Sequence, residues 1–375
     1  MKKIIVLGAG RVGSAIALDL AKKHNVTAVD INIDRLDYFS GENIKTKSIN
    51  LTDKNSLTNR ISGFDLVINA VPGSLGYETL KTVIEAGKNV VDITFFERDP
   101  FTLDQLAKQK NVTAIVDCGI APGMSHVILG YYNQIMKVEE FSFYVGGLPF
   151  KRTYPFQYKA PFSPSDVIEI YTRPARVVEN GKIISKPAIS DIELIDFEPV
   201  GTLEAFNTDG LRTLLKTMNI TNMKEKTLRY PGHVDYMQVL RNCGFFSEKE
   251  IKVGNYNIRP IDVTSKLLFP IWHLNPGEDE FTIMRVVIKG NSGNQKREII
   301  YNLFDRYDRI TKTSSMARTT GYTCTAAANL ILEEKFSRKG ICPPEYLGED
   351  KSNFNFIISY LKDRGINYIT QENVL

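Results

Sequence analysis

The chain contains no C-x-x-C pair: Cys118, Cys243, Cys324 and Cys342 lie scattered through 375 residues. A thiolate zinc site and a disulfide framework are therefore not expected, no metal is expected elsewhere, and the cysteines read as reduced thiols of a cytoplasmic protein. Also missing is an uninterrupted apolar run of about 18 residues, so no segment is expected to span a membrane. The start MKKIIVLGAG puts two lysines before an apolar stretch, but a glycine turn and Arg11 interrupt it and no small-residue cleavage site follows, so it does not read as a secretory leader. A large charge imbalance is absent too. Lys and Arg total 47 against 43 Asp and Glu, and without a basic stripe a nucleic-acid partner is not expected. No internal repeat or low-complexity segment is visible.

What is present begins at the first residues. Lys3 to Leu7 is a short β-branched apolar run, and Gly8, Gly10 and Gly13 follow as G-x-G-x-x-G. Apolar residues then recur at helical spacing from Val12 to Leu20, so the glycines lie where a strand becomes a helix. Gly8 permits the tight turn, Gly10 keeps a side chain away from an approaching pyrophosphate, and Gly13 lets the helix lie close to the strand. The first N–H groups of the helix, around Arg11 and Val12, would face the phosphates. A second strand, Val26 to Val29, ends in Asp30, 17 residues after Gly13, near the offset at which an acid reaches the ribose hydroxyls. The expected cofactor is a dinucleotide, NAD in preference to NADP, because an acid there repels a 2′-phosphate; Arg35 nearby softens that preference.

Strands and helices go on alternating. Strands are expected at Thr46 to Ile49, Leu66 to Ala70, Asn89 to Ile93 and Thr113 to Val116, and helices up to Arg60, over Gly76 to Ala86 and over Thr102 to Gln109. The fold class is thus α/β, a doubly wound parallel Rossmann sheet of order 3-2-1-4-5-6 with an inserted α+β second domain. Ligands lie beyond the carboxyl ends of such strands. That places Ala70, Val71, Pro72, Asp92, Gly119, Pro122 and Gly123 beside the dinucleotide, with Asp53 either contacting the adenine or capping a helix. Asp92 could bind substrate or cap the next segment.

At Asp117 to Met124 the composition changes to aromatic, strand-like runs: FSFYVGGLP, ARVVENGKII and a hairpin from Phe281 turning within Gly290 to Lys296. Residues 1–123 are read as the dinucleotide domain, 124–314 as an α+β domain for substrate binding and dimerisation, and 315–375 as helices returning to the first domain. Ala121-Pro122-Gly123 would be the hinge. Of the four histidines, His24 and His273 read as structural and His126 lies just after the hinge. His233, in the loop RYPGH, is the candidate for proton transfer. Arg212, in TDGLRTLL, would either make a surface salt bridge or hold a substrate carboxylate. Tyr158 and Lys159 would line the cleft.

The combination of GAGRVG, DCGIAPGM, YVGGLP, YTRPARVVENG, TDGLRTLL, RYPGH and a long helix after MAR resembles the saccharopine dehydrogenase-like family over nearly the whole chain. Within it, the resemblance is strongest to the NAD-dependent L-lysine 6-dehydrogenases, from which TDGLRTLL departs by its arginine. The resemblance implies a homodimer and oxidative deamination at the ε-carbon of L-lysine, giving 2-aminoadipate 6-semialdehyde and ammonia. His233 would be the base, Arg212 would hold the α-carboxylate, and Asp209 or Asp92 the α-ammonium. Phe95, Tyr158 or Phe162 would wall the aliphatic stem. The alternatives are an imine reductase of the saccharopine reductase or carboxynorspermidine dehydrogenase type, and a non-catalytic dinucleotide-binding regulator.

Overall fold

The structure, a computed structural model, describes residues 1–375. It divides into two compact units: residues 1–136 with 317–368, and residues 137–316 with 369–375.

The first unit is built on a seven-stranded parallel sheet. Its strands β1 (Lys3–Leu7), β2 (Asn25–Asp30), β3 (Ile44–Ser48), β4 (Leu66–Asn69), β5 (Val90–Asp92) and β6 (Thr113–Ile115) take the spatial order 3-2-1-4-5-6. The strand Gly340–Cys342, which has no counterpart in the expected scheme, pairs in parallel with β6. Ile4 to Leu7 and Leu66 to Ile68 are fully buried. Continuous rather than alternating burial is the mark of strands covered by helices on both faces.

The chain leaves this unit after Met136 and not at the expected Gly123. The helix Met124–Ile135 stays with the sheet because Gly130 and Gly348 let two backbones touch. A Cβ at Gly130 would lie 2.0 Å from the Glu345 carbonyl oxygen, and one at Gly348 2.0 Å from that of Val127. The segment Ala121-Pro122-Gly123 therefore lies inside the first unit. Helices Ser315–Leu332 and Lys351–Lys362 also belong to it apart from the first turn of the former.

The second unit holds a mixed sheet of nine strands. Seven follow the spatial order Glu193–Phe197, Gly201–Asn207, Asn222–Arg229, Lys137–Pro149, Glu280–Ser292, Gln295–Arg306 and Tyr368–Val374. The last was expected to return to the first domain, but its residues from Ile369 onward complete this second sheet. A hairpin of Ala175–Glu179 and Lys182–Lys186 joins through Val178 and Met223. It turns at Asn180-Gly181, both at positive φ, the pairing that a two-residue hairpin turn favours. The long hairpin runs from Phe281 opposite Arg306 to Ser292 opposite Gln295. Its core gathers Trp272, Tyr171, Phe206, Phe197 and Phe281. No helix in the protein is long and apolar enough to cross a membrane.

Candidate functional site

In the first unit the glycine turn is fastened to the end of β2. The Gly8 amide donates to the Val29 carbonyl (2.8 Å) and the Ala9 amide to Asp30 Oδ2 (2.8 Å), while Asp30 Oδ1 accepts from the Asn32 amide (2.9 Å). Each carboxylate oxygen keeps further accepting capacity. Half-exposed Arg35 reaches Asp30 Oδ2 at 3.5 Å. Gly8 abuts the end of β4, since a Cβ there would fall 2.5 Å from the Ala70 carbonyl oxygen. The turn therefore meets Ala70 and Val71, and Pro72 stands at the N-cap of the helix Gly73–Glu85.

The three glycines do different things. A Cβ at Gly13 would lie 2.0 Å from the Gly8 carbonyl oxygen, whereas one at Gly10 would meet nothing within 4 Å. The helix Arg11–Ala21 has no side chain capping its N-terminus, so its first N–H groups can face an anion across open space at Gly10. The turn, the uncapped helix and Asp30 thus fit a dinucleotide, whose pyrophosphate Gly10 to Val12 would face.

Asp53 is a cap: its Oδ1 accepts from the Asn55 and Ser56 amides at 3.0 and 3.1 Å. Asp92 is fully buried, accepting from the Asn69 side chain and from the amide and hydroxyl of Thr94 at 2.7 and 2.6 Å. Burial outweighs those bonds and raises its pKa to about 7. Its carbonyl accepts from the Cys118 amide at 2.9 Å, and Gly119 bonds to Pro122 O at 3.1 Å. The loop from Asp117 to Gly123 is thereby folded tightly at the end of β5. Burial raises the pKa of the thiols of Cys118 and Cys324, which are poor nucleophiles.

The second unit gathers a polar cluster inside its aromatic core. Arg229 ends the strand Asn222–Arg229, His233 opens the helix His233–Asn242, Tyr171 lies on the helix Pro164–Thr172, Trp272 ends the helix Pro260–Trp272, and Tyr158 lies on a connecting segment. Arg229 Nε donates to the Tyr171 hydroxyl (3.0 Å), which lies 2.9 Å from His233 Nε2, and His233 Nδ1 lies 2.9 Å from the Phe156 carbonyl oxygen. A carbonyl can only accept. Nδ1 therefore carries the proton, Nε2 accepts from Tyr171, and the chain of donors has a single direction. Burial, followed by the charge of Arg229, lowers the His233 pKa to about 3. The near-neutral base expected of His233 is thus not what the geometry holds: the imidazole is neutral and its lone pair is taken.

Other expectations change likewise. Asp209 is gripped by Arg176 Nε and Nη2, both at 2.8 Å, which occupies the carboxylate expected to meet a substrate ammonium. Lys159 donates to the His273 carbonyl at 2.9 Å. Arg212 is buried, at φ +49° in the turn before the one-turn helix Leu214–Thr217. Tyr158 and partly buried Phe162 do lie at the aromatic core of this unit, while Phe95 belongs to the other. His24 is held by Asn329 and buried His126 by Ser125, both at 3.0 Å. No group of three or more His, Cys, Asp or Glu side chains could hold a metal ion.

Arg229 was missed by sequence reasoning, although it stands in the quoted motif RYPGH. The available signal was a charged residue closing the run Thr227-Leu228 in a buried strand.

Two family profiles match the chain. Residues 4–115 match the saccharopine dehydrogenase NADP binding domain, and residues 119–366 the saccharopine dehydrogenase C-terminal domain. The mitochondrial alpha-aminoadipic semialdehyde synthase of Mus musculus is 22% identical, covering 100% of this chain and 48% of its own length. The chain spans about half the length of that relative and of its counterparts in Rattus norvegicus and Bos taurus. Carboxyaminopropylagmatine dehydrogenase of Synechocystis is 20% identical over 93% of this chain and 94% of the relative. Among solved structures, the L-Glu-forming saccharopine dehydrogenase of Saccharomyces cerevisiae superposes with a TM-score of 0.79 at 19% identity, covering 100% of both chains.

Proposed function

Because the chain belongs to the saccharopine dehydrogenase family, we propose that it is a dinucleotide-linked oxidoreductase that deaminates the ε-carbon of L-lysine, with NAD as the preferred acceptor. The observation that carries the redox reading is the glycine turn held to Asp30 beside an uncapped helix. A bound dinucleotide supplies the hydride acceptor. Gly8 to Gly13 would cradle its pyrophosphate, with Asp30 toward the ribose and Ala70 to Pro72 beside it. In the balanced reaction the ε-carbon loses a hydride, water adds to the resulting iminium, and ammonia leaves as 2-aminoadipate 6-semialdehyde forms.

Lysine as the substrate is supported by the motifs YVGGLP, YTRPARVVENG and RYPGH. The protein's own residues would exclude water around the aliphatic stem through Tyr158, Tyr171, Phe162 and Trp272. The amine must be neutral to release hydride, and His233, neutral and already bonded, does not take its proton. Deprotonation then follows the pH of the medium, and activity should rise toward alkaline pH. A homodimer through the second unit is part of this reading, supported by Val263, Leu267 and Ile271 exposed along one helix; sedimentation equilibrium tests it.

A second reading, reduction of an imine between an amine and an oxo compound, is supported by the name of the Synechocystis relative and its coverage of 93% of this chain. Purified protein supplied with L-lysine, L-saccharopine or carboxyaminopropylagmatine, each with NAD or NADP, distinguishes the two by absorbance of the reduced cofactor. Lysine-dependent reduction with ammonia release supports the first. Turnover confined to secondary amines gives the second, and turnover confined to NADP removes the NAD preference.

A further inference from the structure

A buried cation in a protein interior is normally matched by a carboxylate, because an unpaired one forfeits its hydration. Two others here obey. Lys226, 3% exposed at its side chain, pairs with Glu193 at 2.6 Å, and the partly buried Arg364 pairs with buried Asp19 at 2.9 Å. Arg229, 2% exposed, does not. Its Nε is spent on the Tyr171 hydroxyl and its Nη1 on the Leu228 carbonyl (2.8 Å), while Nη2 is buried with no partner. The acid whose charge reaches it, Glu225, has one oxygen committed to Thr208 and the Gly210 amide and forms no ion pair with Arg229.

Two more buried donors beside it are equally unanswered. The Tyr158 hydroxyl and Trp272 Nε1 lack partners. The guanidinium carbon stands 4.3 Å from the Tyr158 ring centroid, and the Tyr158 and Trp272 rings are 5.7 Å apart. His233 cannot supply the missing acceptor, since Nε2 already accepts from Tyr171. One fixed positive charge and three unmet donors therefore lie on consecutive side-chain contacts, Arg229 on the Tyr158 ring and Tyr158 on Trp272, and the guanidinium has no ion pair. Packing alone would not select this set, because each unmet buried donor has given up its bond to water and received none in return.

We infer that Arg229, with Tyr158 and Trp272, is the site at which the second unit binds a carboxylate, and that this is the carboxylate of the amino-acid substrate. The second half rests on the function proposed above; the first does not. A carboxylate can accept from Arg229 Nη2, the Tyr158 hydroxyl and Trp272 Nε1 while neutralising the guanidinium, and an amide of the same shape cannot neutralise it. The anchoring role expected of Arg212 passes to Arg229.

Trp272 is the only tryptophan in the chain, so its fluorescence reports on this site without turnover. The protein is titrated with pentanoate and pentanamide, and with L-lysine and L-lysinamide, at constant ionic strength, with and without NAD. The expected result is a saturable change with the carboxylates and none with the amides, with apparent Kd about 10-fold weaker in Tyr158→Phe and about 100-fold weaker in Arg229→Gln. Arg229→Lys, which keeps the charge and loses the fork, should fall between them; circular dichroism melts establish that each variant folds. Equal responses to acid and amide, no response in the wild type, or an unchanged Kd in Tyr158→Phe and Arg229→Lys would overturn the site and leave ordered water as the partner of these donors. Carboxylate binding that survives when lysine fails to turn over removes the lysine reading and keeps the site. Lysine turnover with unchanged KM in Tyr158→Phe and Arg229→Lys does the reverse.

Discussion

One methyl group, placed at either of two glycines three residues apart, separates binding from stability. Gly10 has an extended backbone (φ −68°, ψ −177°) that alanine also adopts, and its Cβ would enter open space. Gly10→Ala should change stability by less than about 1 kcal/mol yet weaken NADH binding at least 10-fold, because the methyl occupies the approach to the phosphates. At Gly13 the same methyl would overlap the Gly8 carbonyl oxygen at 2.0 Å. Gly13→Ala should cost about 1–3 kcal/mol by overpacking and lower the melting temperature whether or not cofactor is present. Thermal melts paired with NADH fluorescence titrations separate the two; similar behaviour of both variants would remove the assignment of open space to the ligand. A second residue-scale expectation concerns His233. With its pKa at about 3, it contributes no inflection to the pH profile of kcat/KM between pH 5 and 8, and Tyr171→Phe should not create one.

At the scale of elements, the first unit is closed by a clamp on Asp19. Its buried carboxylate, on the helix Arg11–Ala21, accepts from Arg364 Nε at 2.9 Å and from the Tyr360 and Thr325 hydroxyls, both at 2.7 Å. It thereby ties the N-terminal helix to Ser315–Leu332 and Lys351–Lys362. Burial pushes the Asp19 pKa up, but the Arg364 bond and charge and the hydroxyls outweigh it, leaving the pKa below its ordinary value. A depressed carboxylate stabilises above its unfolded pKa and loses that contribution as pH falls through the folded value. Asp19→Ala should cost about 3–5 kcal/mol at pH 7, since Arg364 is left without its partner, and the deficit should shrink as pH falls below about 3.8, where the wild type loses the same contribution. Urea melts at pH 7 and pH 3 test it; a loss at pH 7 under about 1 kcal/mol would mean the helices are held by packing alone.

This clamp also marks where the sequence is legible. The order of β1 to β6 and the glycine turn can be read because their causes are local: apolar runs, helical spacing and a turn that needs glycine. The strand Gly340–Cys342 has only three residues, and Tyr368–Val374 is polar and mostly exposed, so neither carries a pattern of its own; each is made a strand by an edge distant in sequence. The unit boundary at Met136 depends on Gly130 meeting the chain at Glu345, again a contact that spacing does not reveal. At the site, Tyr158 and His233 were visible as residue types, but their roles depend on which lone pairs are already taken. The sequence marks Arg229 only as a charge; its missing acceptor appears only once Tyr171, Leu228 and Glu225 are placed around it.

At the scale of the whole molecule, the buried titratable groups set a pH of greatest stability. Asp92 and Glu225 are held at about 7 and Asp166 at about 6, each chiefly by burial, and His233 at about 3 for the same reason. The three acids have folded pKa values above their unfolded ones. Between those two values the folded state binds more protons, so they destabilise it progressively as pH rises from about 4 to 7. His233 has the opposite sign: below its unfolded value of about 6.5 the unfolded chain takes up a proton that the buried imidazole refuses, so its contribution falls as pH falls. Buried Glu204, also raised by burial, adds to the three acids; together they outweigh His233, and from pH 5 to 7 a net excess of about one to two protons remains on the folded state. Stability should therefore decline by about 1–2 kcal/mol per pH unit over that range, and the melting temperature should drop by several degrees between pH 5 and pH 7.5. Asp92→Asn combined with Glu225→Gln leaves Asp166 and Glu204 to oppose His233 and should flatten the decline by at least half. Differential scanning calorimetry at pH 5, 6, 7 and 7.5 on both proteins reads this directly. Parallel curves would place Asp92 and Glu225 as carboxylates throughout, held ionised by their Asn69, Thr94 and Thr208 donors.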